Sequence, residues 1–149
     1  MRAAGIDVGK LSLDLAVDGQ PGARRFANTP AGITGLVAAL RALGVERILV
    51  EATGGYEEPV LEACCDAGLW ISRINPRQAR DFARATGELA KTDAIDARLL
   101  ALMAGMFGDR LRRHTAPPPW QRELRDWLRR RGQVVILIQA QKQQASLAP

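Results

Sequence analysis

The stretch Ala3-Ala4-Gly5-Ile6-Asp7-Val8-Gly9-Lys10-Leu11-Ser12-Leu13-Asp14-Leu15-Ala16-Val17 decides how this chain folds. Ala3 to Val8 is apolar except for Asp7, the pattern of a buried strand. Gly9-Lys10 turns the chain. Leu11 to Val17 then alternates, with Leu11, Leu13, Leu15 and Val17 set against Ser12, Asp14 and Ala16, which predicts a half-buried strand. Asp18-Gly19-Gln20-Pro21-Gly22 is a hairpin turn signal, and Ala23 to Asn28 returns as a third antiparallel strand.

Working outward, Thr29-Pro30 opens a helix, with Thr29 as N-cap and proline at the first position. Its apolar face is Ile33, Leu36, Val37, Leu40 and Leu43, and Gly44 ends it. Arg47 to Ala52 is a buried strand finishing at Glu51, followed by the tight loop Thr53-Gly54-Gly55-Tyr56. Pro59 to Ala67 reads as a helix, Leu69 to Ile74 as a strand closed by Asn75-Pro76, and Arg77 to Ala85 as a helix stopped at Thr86-Gly87. A further helix begins in Lys91-Thr92-Asp93-Ala94-Ile95-Asp96-Ala97-Arg98, with Ile95, Leu99, Leu102, Met103 and Met106 as its expected apolar face. An antiparallel meander followed by alternating helices and strands predicts an α/β fold: a mixed sheet with helices on its faces, in the order of ribonuclease-H-like domains. In that order the first and fourth strands are neighbours.

The 149 residues are 47% hydrophobic and 25% charged, enough for one compact domain with an appendage. No apolar run spans a membrane and no signal-peptide pattern opens the chain, which predicts cytoplasmic residence and no membrane partner. Cys64 and Cys65 are adjacent and read as small buried hydrophobes; no Cys/His metal spacing exists, and His114 stands alone. The formal charge of +5 is uneven. Residues 1–109 carry 12 Lys and Arg against 14 Asp and Glu, whereas residues 110–149 carry 9 against 2. An acidic-leaning body with a basic arm suits a polyanionic partner.

The acids carry the chemistry. Asp7 lies within an apolar strand and Glu51 ends another, and a buried carboxylate needs a partner. On adjacent strands the two would face each other; the alternative is that each pairs separately with Lys10 or an arginine. Asp93 and Asp96, three apart at a helix start, share one helix face. By themselves those two also suit an N-cap and first-turn role. Three or four converging carboxylates are tolerable at neutral pH only with a divalent cation or protonation. An all-oxygen set prefers Mg²⁺ or Mn²⁺ to Zn²⁺. Two such ions would stabilise the attacking and leaving oxygens of phosphoryl transfer.

Gly5-Ile6-Asp7-Val8-Gly9-Lys10, Glu51-Ala52-Thr53-Gly54-Gly55-Tyr56, Asn75-Pro76-Arg77-Gln78-Ala79-Arg80-Asp81-Phe82-Ala83 and Lys91-Thr92-Asp93-Ala94-Ile95-Asp96-Ala97 together resemble the N-terminal half of a DEDD-type insertion-sequence transposase, the insertion-sequence one-ten family that includes the Piv invertases. The resemblance implies a RuvC-like fold and Mg²⁺ (or Mn²⁺) dependence. It also implies site-specific DNA recombination guided by a bridge RNA, with the catalytic and metal-binding acids falling on Asp7, Glu51, Asp93 and Asp96. It further implies a C-terminal domain with a serine nucleophile, whose motif Ser12, Ser72 and Ser146 do not match, so the chain reads as a fragment expected to be inactive in recombination by itself. A RuvC-like nuclease and a non-catalytic nucleic-acid-binding or dimerisation module are the alternatives. Gly5 to Lys10 also resembles the first phosphate loop of actin-like sugar kinases, a fold that needs a second such loop and a longer chain.

Lys10, Arg77, Arg80, Arg84, Lys91, Arg125 and Arg129 are the expected nucleic-acid contacts, with Arg73 a further possibility. Tyr56, in a Gly-rich loop, reads as a cap on the core, with stacking on a base as the alternative. These features predict a RuvC-like catalytic domain over residues 1–116. Residues 117–149 are a stiff Pro117-Pro118-Pro119 linker and a basic, coiled-coil-like helix. Trp120, Leu124, Trp127, Leu128, Val134, Val135 and Ile138 form the stripe of that helix, Arg131 and Gly132 interrupt it, and it is expected to drive homo-oligomerisation.

Overall fold

A computed structural model of the chain describes residues 1–87 and 93–146, with side chains for 1–87 and 96–145. Lys91 and Thr92, and the side chains of Asp93, Ile95 and Ser146, lie outside the described residues.

Residues 1–115 form one compact unit. Strands β1 (Ala3–Val8), β2 (Ser12–Val17) and β3 (Arg24–Ala27) make the antiparallel meander, and β4 (Arg47–Glu51) and β5 (Ile71–Ile74) add in parallel. The sheet order is β3-β2-β1-β4-β5, so the first and fourth strands are neighbours. The crossovers are helices α1 (Pro30–Ala42) and α2 (Glu58–Asp66), as parallel pairing demands. Thr29 caps α1, its side chain accepting from the Gly32 amide. Helix α3 (Pro76–Thr86) opens on a capping box between Asn75 and Gln78. Helix α4 (Asp93–Phe107) follows.

The two faces of the sheet are built differently. On one, Ile6, Val8, Leu13, Leu15, Ile48, Val50 and Ile71 pack against Ile33, Leu36 and Leu40 of α1 and Val60, Leu61 and Cys64 of α2. Cys64 is buried there as expected, and burial, with a smaller push from Cys65, raises its thiol to about 12. On the other face, Ala3, Leu49 and Ile74 pack against Ala79 and Phe82 of α3 and Leu99, Leu100, Met103 and Ala104 of α4.

Two expectations are corrected here. Strand β2 is not half-buried: Asp14 and Ala16 are as enclosed as Leu13 and Leu15, because α4 covers the face that alternation assigns to water. The inner face of α4 is also rotated from the expected one. Ala97, Leu99, Leu100, Ala101, Met103 and Ala104 are buried, whereas Met106 is 64% exposed. The cause is Gly5. A β-carbon on Gly5 would collide with the Ala97 carbonyl oxygen and the Ala101 amide, so the helix backbone lies directly on the strand. Only small residues fit at such an approach.

Past α4, residues 112–114 run along β5. The His114 amide donates to the Ile71 carbonyl, and the Ser72 hydroxyl donates to the Arg112 carbonyl. The open sheet edge is thereby covered.

Residues 116–149 form the second unit. Helix α5 (Pro119–Ser146) is continuous through Arg131 and Gly132, since one glycine costs a helix only about 1 kcal/mol. Trp120, Leu124, Trp127, Leu128 and Ile138 are exposed along it.

Candidate active site

One row across the sheet holds the charged residues. Arg25 of β3 is in register with Asp14 of β2, and Asp14 with Asp7 of β1. The parallel register of β1 and β4 runs Gly5 with Leu49 and Ile6 with Val50, so its next step sets Asp7 beside Glu51. Side chains in one row share a face. That face is the one covered by α4, because Gly5 and Leu49, two residues earlier, lie under it. Asp7 and Glu51 are both half-buried there.

Helix α4 runs antiparallel to β1. Its residues 97–101 lie over Gly5, Gly105 lies against Ala3 and Asp18, and Gly108 against Met1. From Gly5 to Asp7 the strand rises roughly 6.6 Å, the length of about 4.4 helical residues. That displacement brings the first turn of α4, Asp93 to Asp96, over Asp7. Asp96 is half-buried. Among the described residues, no group of three or more His, Cys, Asp or Glu is gathered closely enough to hold a metal ion. Asp7 and Glu51 are thus neighbours by register, Asp96 does not complete a three-acid group with them, and the Asp93 side chain lies outside the described residues.

These donors suit a hard divalent cation. All are carboxylates, and two are fixed on neighbouring strands at the end where the parallel pair stops. Asp14 is already engaged: its carboxylate accepts two bonds from the Arg25 guanidinium, Nε at 2.9 Å and Nη2 at 3.0 Å. Sequence reading missed this pair. The signal was present, since an acid inside a leucine-rich strand raises the same question as Asp7.

Glu57 was missed as well. It is buried, and its Oε2 accepts from the Thr53 amide (3.0 Å), the Thr53 hydroxyl (2.9 Å) and the Gly55 amide (2.9 Å). Burial pushes its carboxyl up, but bonds from its own amide, Gly55 and Thr53 outweigh that and hold it below the ordinary value. The loop after Glu51 is thus wrapped around a carboxylate, with Gly54 and Gly55 at φ of 79° and 122° supplying the turn.

The expected nucleic-acid contacts are scattered. Lys10 is exposed in the turn after β1. Arg77, Arg80 and Arg84 are exposed on α3, which packs on the same sheet face as α4. Arg84 pairs with Asp81 at 3.5 Å. Arg73 lies beside Val50 in register and is bonded to Glu58 at 3.0 Å and Glu57 at 3.5 Å, so it braces the start of α2. Arg125 and Arg129 are on α5, the latter 3.6 Å from Asp126. Tyr56 is 47% exposed rather than capping the core.

The sequence profile of the DEDD transposases of IS110-type insertion sequences matches residues 4–147. The chain belongs to this transposase family. Among curated proteins none matches significantly. Among solved structures, Thermus thermophilus RuvC in complex with a Holliday junction substrate superimposes with a TM-score of 0.60 at 17% identity, covering 76% of this chain and 99% of RuvC. Another Thermus thermophilus RuvC structure gives a TM-score of 0.54 at 19% identity, covering 76% and 100%. The fold of the chain is therefore RuvC-like, as the family resemblance implied, with the ribonuclease-H-like strand order read from the sequence. Among the described residues, no helix is long and apolar enough to cross a membrane.

Proposed function

We propose that this chain is the metal-dependent catalytic domain of a transposase that cleaves and transfers DNA phosphodiesters. The observation that carries the reading is the adjacency of Asp7 and Glu51 on the sheet face beneath the start of α4. Asp7, Glu51, Asp93 and Asp96 are the residues that would hold Mg²⁺ or Mn²⁺. Bound there, the ion would polarise a phosphate and lower the pKa of a coordinated water or hydroxyl. The chain's own part is to fix two carboxylates on rigid strands and to bring two more on a helix that seats by its backbone on Gly5. Lys10 and Lys91 flank the acids in the sequence and would attract the phosphate. Arg77, Arg80 and Arg84, with Arg125 and Arg129 of the basic arm, neutralise the strand backbone and make binding steeply salt-dependent.

In this reading DNA is the substrate, a bridge RNA guides target choice, and the apolar stripe of α5 pairs with a second copy. Strand exchange through a covalent intermediate needs an activated nucleophile. Ser72 is buried and bonded to Arg112, so it cannot serve, and the chain by itself is expected to give at most weak metal-dependent nicking and no recombination. The test is incubation with supercoiled DNA and Mg²⁺ or Mn²⁺. Nicking by the wild type that is lost in Asp7→Asn and in Glu51→Gln supports the reading. Nicking retained in both variants, or a wild type that binds neither Mg²⁺ nor Mn²⁺, refutes it.

A further inference from the structure

Two loops carry the chain away from the paired acids: the Gly9-Lys10 turn after Asp7 and the Thr53–Tyr56 loop after Glu51. They are far apart in sequence, and one side chain joins them. The Asn28 side-chain amide donates to the Gly9 carbonyl at 2.9 Å and to the Tyr56 carbonyl at 3.2 Å. Asn28 is itself fixed, its backbone amide donating to the Leu11 carbonyl at 2.9 Å. The turn is closed by the Gly9 amide on the Ser12 carbonyl, and the second loop is closed internally by Glu57. Asn28 is thus a staple between two loops that are each closed by hydrogen bonds of their own.

We infer that Asn28 is a positioning residue that sets the separation of the Asp7 and Glu51 carboxylates. The inference rests on the proposed role of those acids as cation ligands. Backbone pairing joins β1 and β4 up to Ile6 and Val50; beyond that rung Asp7 is held in register by Asp14 on its outer side and Glu51 by Ile74 on its own, so the β1–β4 ladder does not itself set the separation of the two acids. Like charges on the two carboxylates push them apart. A double donor bonded to the carbonyl of Gly9 and of Tyr56 opposes that push. An asparagine suits the task because its NH₂ group offers two donors at one point.

The test uses the full chain with Asn28→Ala and Glu57→Gln, read by amide hydrogen exchange and by Mn²⁺ binding. Asn28→Ala is expected to speed exchange at both Gly9-Lys10 and Thr53–Gly55, whereas Glu57→Gln speeds it only at Thr53–Gly55. With the thermal midpoint shifted by no more than a few degrees, Asn28→Ala should weaken Mn²⁺ binding about tenfold, the lower end of what loss of a supporting contact does to a metal site. Exchange unchanged at either loop in Asn28→Ala overturns the staple. Exchange raised at both loops with Mn²⁺ affinity as in the wild type overturns the positioning role. A wild type that takes up no Mn²⁺ refutes the metal reading and the positioning role with it, while the exchange arm still decides whether the staple exists.

Discussion

The two faces of this sheet share the same five strands and do different work. The face under α1 and α2 is mainly aliphatic, and Ile6, Leu13, Ile48 and Val50 on it are all fully enclosed. The face under α4 is made of Ala3, Gly5, Ala16 and Leu49 and then, one row on, of Arg25, Asp14, Asp7 and Glu51. Large side chains fill the space between the sheet and α1 and α2. Small ones let the α4 backbone come down onto β1 at Gly5, so the start of that helix lies toward the charged row. The aliphatic face supplies stability, roughly 1.5–3 kcal/mol per buried large side chain. The other face gives up some of that burial to place charge.

This contrast can be broken most severely at Gly5. Gly5→Val puts a branched side chain into the Ala97 carbonyl and the Ala101 amide, so α4 cannot seat. The expected loss is at or beyond the roughly 3 kcal/mol upper end of overpacking penalties, read by denaturant unfolding. A valine tolerated at wild-type stability would mean that α4 does not pack as described.

Leu13→Ala on the aliphatic face should cost about 2–5 kcal/mol in the same measurement. Any Mn²⁺ binding per folded molecule should be unaltered, since the side chain lies on the opposite side of the sheet from the acids. Reduced binding at full folding would show that the faces are not independent.

Asp14→Asn removes the bidentate acceptor of Arg25. Arg25 is 62% exposed and can turn to water, so the cost should be only about 1 kcal/mol. A much larger loss in thermal unfolding would mark the charged row as a structural element in its own right.

The smallest effect is expected at Glu57 and depends on pH. Its carboxyl is held below the ordinary value of 4.5, so its stabilising contribution is complete above that pH and is lost as the pH falls through the lower folded value. The stability difference between the wild type and Glu57→Gln should therefore be constant at neutral pH and shrink under acid. A difference that grows on acidification would contradict the assigned hydrogen bonds.

Much of the aliphatic face was legible in the sequence, because period and caps are local signals. Thr29-Pro30, Asn75-Pro76 and the Ile48-Leu49-Val50 run announce their elements directly. The other face was harder to read. The burial of Asp14 and Ala16 depends on a helix some eighty residues away, and no alternation rule contains that. The inner side of α4 is chosen by Gly5 rather than by its own apolar stripe, which is why Met106 was assigned inward. Asp7 and Glu51 stood out because a lone acid in an apolar strand is costly wherever it lies. Asn28 gave no such signal, since its partners are two backbone carbonyls that only the folded chain brings together.

The most direct measurement of the central claim is Mn²⁺ titration of the wild type followed by electron paramagnetic resonance, beside Asp7→Asn and Glu51→Gln. A charged row used for catalysis predicts saturable binding in the wild type and its loss in each variant, with folding retained because neither side chain belongs to the aliphatic core. Equal binding in all three proteins, or none in the wild type, would contradict it.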